Sequence, residues 1–76
     1  MNFKIEYTGN RVVSITWTND KHQVHREDGP AFELSCGYKQ YRINGLLHRE
    51  NGPAVICSRG DKHYYIHGKF IKTVMK

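Results

Sequence analysis

Apolar and polar residues alternate along this chain in runs of four to eight, and short turn signals separate the runs. From Phe3 to Thr8 the residues Phe3, Ile5 and Tyr7 fall on one face, with Lys4, Glu6 and Thr8 on the other. From Arg11 to Thr18, Val13, Ile15 and Trp17 share a face opposite Val12, Ser14 and Thr16. Turns are marked at Gly9-Asn10, Asn19-Asp20, Asp28-Gly29, Gly37, Asn44-Gly45, Asn51-Gly52, Gly60 and His67-Gly68. No stretch shows the 3.6-residue period of a helix. The pattern predicts an all-β chain, an antiparallel meander of β-hairpins with about eight or nine short strands.

The pattern repeats. His25-Arg26-Glu27-Asp28-Gly29-Pro30-Ala31 returns as His48-Arg49-Glu50-Asn51-Gly52-Pro53-Ala54, 23 residues later. Over residues 25–45 and 48–68 there are 12 identities in 21 positions, far beyond chance in so short a chain. The 76 residues therefore read as a single domain. Residues 1–24 form a divergent capping hairpin, 25–47 the first repeat, and 48–76 the second repeat with a terminal strand. In the cap, Asp20-Lys21 stands where the repeat has Asn44-Gly45, with one extra residue before the next histidine.

Each repeat enters its first strand at a proline, Pro30 or Pro53, which lacks an amide donor and suits a strand start. Phe32, Leu34 and Cys36 then share a face, with Ala31, Glu33 and Ser35 behind. Trp17, Tyr41 and Tyr64 occupy corresponding positions, are apolar-faced and are expected in the core. Val24, Leu47 and Phe70 fill another shared slot, also expected to be core. Asn44-Gly45 signals a type I′ hairpin, with His67-Gly68 in its place in the second repeat. Ile71 to Lys76 reads as the last edge strand, whose lysines discourage edge-to-edge pairing.

A strand ending in an aromatic, then Asn-Gly, then an apolar step into His-Arg-Glu-Asp-Gly-Pro-Ala, resembles the variant MORN-type repeats of small phage proteins and some bacterial proteins. The likeness covers residues 17–70. It implies hairpins laid side by side in a curled single-layer sheet that serves as a contact surface. It further implies an accessory protein that binds, and inhibits or redirects, a host factor such as a defence complex. No general catalytic signature comes with the resemblance.

The motif also contains residues able to do chemistry, because His25, Glu27 and Asp28 together could move a proton or orient a metal. Yet Asp28 becomes Asn51 in the second copy. A catalytic carboxylate would not survive that exchange, whereas a turn-forming side chain would. The reading is therefore structural. Gly29 and Gly52 are expected to supply an unusual backbone angle, His25, Arg26, His48 and Arg49 to bond neighbouring hairpins, and Glu27 and Glu50 to pair with arginine. The five histidines and two cysteines show no zinc spacing, and no base is paired in sequence with Cys36 or Cys57. No enzyme, metal or cofactor is expected.

Charge then suggests where a partner would bind. The net charge is +5, but residues 48–76 hold six cations against two acids. Arg42, Arg59, Lys62, His63, Tyr65 and Lys69 form the expected contact surface for a host protein. A basic nucleic-acid-binding module using the same residues is the alternative. The small size leaves homodimerisation open. The N-terminus lacks the apolar region of a leader and no apolar run reaches membrane-spanning length, so a cytoplasmic setting is expected.

Overall fold

The computed structural model describes residues 2–76. It is all-β, with nine strands in antiparallel pairings and no helix among the described residues. The strands are β1 (Asn2–Thr8), β2 (Arg11–Thr18), β3 (Phe32–Leu34), β4 (Lys39–Gln40), β5 (Arg42–Ile43), β6 (Leu46–Leu47), β7 (Val55–Ile56), β8 (Lys62–Ile66) and β9 (Lys69–Val74). Seven of them form one sheet in the order β1-β2-β3-β4-β7-β8-β9, and β5 and β6 form a separate hairpin. The meander expected from the alternation is present, and β2 has the bounds the pattern predicts.

The turns follow from backbone chemistry. Asn44 (φ 50°) and Gly45 (φ 82°) both take left-handed angles, as do His67 (φ 48°) and Gly68 (φ 80°). These are the angles of two-residue type I′ turns. Gly37 and Gly60 (both φ 101°) instead close three-residue turns, donating to the carbonyls of Leu34 and Cys57. The extra residue of the first unit has the same explanation. His22 (φ 62°) donates to the Asn19 carbonyl and Asn19 donates to Gln23, so a three-residue turn replaces the type I′ turn. The left-handed residue is His22, not the expected Asp20-Lys21 pair.

The backbone hydrogen bonds repeat at the sequence period. His25 donates to Trp17 and His48 to Tyr41; Arg26 donates to Arg42 and Arg49 to Tyr65. Ala31 donates to Gln40 and Ala54 to His63; Gly45 donates to Val24 and Gly68 to Leu47. The copies diverge at one point. In the first, the run Lys39–Ile43 breaks at Tyr41 into β4 and β5, which belong to different sheets. In the second, β8 runs unbroken because β9 continues beside its whole length.

The core differs from the expected one. Among the described residues the buried apolar set is Ala31, Ala54 and Val55, joined by the polar Ser14 and His25. Ala31 and Ala54, which alternation places behind the core face, are fully covered. Trp17, Tyr41 and Tyr64 are only half-buried, as are Val24 and Leu47, while Phe70 is exposed. The Cα frame measures 36 × 30 × 15 Å, and the only other sheet is the short β5–β6 hairpin. Without a second layer to pack against, large side chains cannot be enclosed, and only small residues under the loops reach full burial.

Candidate functional site

Two features of this frame could carry function: the paired motif loops and the C-terminal hairpin. His25 Nδ1 accepts a hydrogen bond from the Asn44 amide at 2.8 Å, and His48 Nδ1 accepts one from the His67 amide at 2.9 Å. Each histidine thus caps the type I′ turn of the next hairpin, and its ring proton must sit on Nε2. Arg26 lies over the Trp17 ring at 4.3 Å and Arg49 over the Tyr41 ring at 3.9 Å. Their guanidinium groups also donate to the carbonyls of Pro30 and Pro53.

Lys72, a further 23 residues on, sits 4.8 Å over the Tyr64 ring and completes the ladder. The pattern Arg26, Arg49, Lys72 was present in the sequence as a period of cations matching a period of aromatics. Reading the terminal strand as a mere edge hid it. In each tier the ring face is occupied by a cation from the following tier.

Two expectations for these loops are corrected. Gly29 and Gly52 do not adopt positive φ. A Cβ on Gly29 would lie 3.0 Å from the Arg26 guanidinium carbon, and one on Gly52 would lie 2.9 Å from that of Arg49. Glycine is needed there so that the arginine can fold back onto its ring. The arginine also pairs with a different acid than expected: Arg26 Nε bonds Asp28 at 3.0 Å, while Glu27 lies 3.8 Å from His25 Nε2. Asn51 replaces that aspartate in the second copy, and the stacking survives without the ion pair.

Grooves run beside the ladder. One, of about 530 Å³, lies between the two motif loops and is lined by Arg26, Glu27, His48, Arg49 and Glu50. Another, of about 420 Å³, lies between Arg49 and the ring of Tyr64, with Tyr65 and Ile71 at its wall. Both are open, and their cations are already held by rings and carbonyls. No three His, Cys, Asp or Glu side chains among the described residues come together as a metal site.

The expected contact residues do not form one patch. Arg42 is engaged internally, donating to Gln40 Oε1 at 2.8 Å and to the Gly45 carbonyl at 2.7 Å. Arg59 and Lys62 are exposed and flank the Gly60 turn at one end of β8. Lys69 is exposed beyond the turn at its other end. Lys62 and His63 are neighbours on one strand and so face opposite sides. Tyr65 packs edge-on against Phe70 with ring centroids 5.5 Å apart.

His63 has partners that sequence spacing did not reveal. Its Nε2 lies 3.6 Å from Cys57 Sγ, and its Nδ1 lies 2.9 Å from Thr73 Oγ1. Three adjacent stretches of chain supply these groups, because β8 runs between β7 and β9.

The apolar residues left outside are concentrated at the edges. Phe3 and Tyr7 on β1, Phe70, Ile71 and Val74 on β9, and Met75 just past it are all exposed. No family model matches this chain, and no curated protein or solved structure matches it.

Proposed function

We propose that this protein is a non-catalytic protein-binding module. One observation carries the reading. A one-layer sheet, with only three buried apolar residues among those described, leaves large apolar side chains exposed along its edges. Exposed apolar clusters with charged surroundings mark protein contact surfaces. The motif histidines and arginines hold turns and rings, which supports a scaffold role for them. The resemblance to MORN-type repeats supports the narrower reading, an accessory protein that binds a host factor and inhibits or redirects it.

Nucleic-acid binding is the competing reading. It needs free ring faces for base stacking, and Trp17, Tyr41 and Tyr64 each have a face covered by a cation. The test is affinity capture from a cell extract, with and without nuclease, at low and moderate salt. A defined protein retained after nuclease and salt supports the module. Loss of all bound material on nuclease treatment overturns it in favour of a nucleic-acid contact.

A further inference from the structure

We infer that the β8–β9 hairpin is the docking surface of this module and that its partner is an acidic protein surface with an apolar centre. The inference rests on the protein-binding reading and names the partner's chemistry.

The charge points to this hairpin. Residues 59–76 contain Arg59, Lys62, Lys69, Lys72 and Lys76 against the single acid Asp61, a net charge of +4. Residues 1–58 contribute the remaining +1. Within the basic field lie Phe70, Ile71, Val74 and Met75, exposed by 58%, 55%, 43% and 67%. Half of the large exposed apolar residues of the described chain therefore lie within residues 70–75. Phe70 pairs with Tyr65 and Val74 with Lys62, so the two stand on opposite faces of β9, and Lys62, Lys69 and Lys72 share the face of Val74. The apolar side chains thus line the sheet edge beside lysines, and an edge of one sign of charge selects a partner of the opposite sign.

The backbone shows how the partner would bind. Tyr65 and His63 give their carbonyls to Arg49 and Ala54, on the side away from β9. Their cross-strand partners Phe70 and Thr73 therefore turn their own amides outward. A bulge between Tyr64 and Tyr65 spaces these outward amides three residues apart instead of two. A regular added strand cannot register with that spacing, and lysines on the edge oppose it further. The contact is thus made by side chains along the β9 edge, with lysines reaching acidic groups beside the apolar side chains of Phe70, Ile71, Val74 and Met75. A second copy is disfavoured as occupant, since it would bring +4 against +4.

The experiment selects a random-peptide display library against the intact protein. Measured affinities of the recovered peptides are then compared for the wild type, Lys69→Glu, Met75→Ser and a control far across the sheet, Val12→Lys on β2, each checked for a native circular dichroism spectrum. The expected result is recovery of net-acidic peptides bearing an aliphatic or aromatic anchor. Their affinity falls about tenfold or more for Lys69→Glu and for Met75→Ser and is unchanged for Val12→Lys. Neutral or basic peptides, no recovered peptides, or equal affinity for all variants would overturn the proposal. Competition by short oligothymidine would overturn it in favour of nucleic acid, and dimerisation at assay concentration by light scattering would do so in favour of a second copy. Extract capture that persists through nuclease and salt and is unaffected by Lys69→Glu would remove this docking surface while leaving the module reading standing.

Discussion

His25 Nδ1 and the amide of Asn44 lie 2.8 Å apart, joining the start of one repeat to the turn at its end. His48 and His67 reproduce the contact 19 residues apart in the same sense. The two differ in burial: His25 is among the few buried polar side chains, whereas the His48 contact is exposed. Losing a partner costs more where water cannot replace it. His25→Ala should therefore lower unfolding free energy by about 2 kcal/mol and His48→Ala by about 1 kcal/mol. Urea denaturation of both variants checks the order.

Gly52 should be coupled to Arg49 and not to its own backbone angle. In Gly52→Ala the new methyl group displaces the guanidinium from the Tyr41 ring, costing about 1 kcal/mol. With Arg49→Ala already in place the same change should cost almost nothing. A double-mutant cycle by chemical denaturation measures the coupling, and additive losses would return the explanation to backbone strain.

His22 holds a left-handed conformation at φ 62° without being glycine. His22→Gly relieves the strain and gives back part of it as chain entropy, so a gain of about 0.5–1 kcal/mol is expected. Thermal unfolding of the variant would detect this as a raised midpoint.

Much of the fold was legible because hairpin chemistry is local. Alternation located β1, β2 and β8, and Asn44-Gly45 and His67-Gly68 specify the β5–β6 and β8–β9 turns through the angles they tolerate. The last strand, expected over Ile71 to Lys76, runs instead over Lys69–Val74, because it pairs with β8 directly after the His67-Gly68 turn. The core was not legible, because alternation assumes that something packs against the apolar face. Nothing encloses Trp17, Tyr41 or Tyr64, and each is covered by a cation instead. The role of Gly29 and Gly52 was hidden for a related reason. It depends on where an arginine folds back, which neither glycine's immediate neighbours disclose. The Cys57, His63 and Thr73 contacts depend on strand register, which a bulge within the β8–β9 pairing shifts by one residue.

Cys57 and Cys36 supply an internal comparison. Cys36 is exposed, and Cys57 is half-buried beside His63. Iodoacetamide should therefore alkylate Cys36 about threefold or more faster than Cys57 in the folded protein, and the two rates should converge once the chain is unfolded. Peptide mass spectrometry of timed reactions reads both rates in one sample.

The loops that hold the fold and the hairpin proposed to meet the partner use different residues, so the two roles can be separated by mutation. The measurement that tests this division is parallel capture from one nuclease-treated extract by folded His48→Ala and Lys69→Glu, at a temperature where both are native. His48→Ala is expected to retain the bound protein and Lys69→Glu to lose it. Retention by Lys69→Glu with loss by His48→Ala would contradict this division and place the contact on the motif loops.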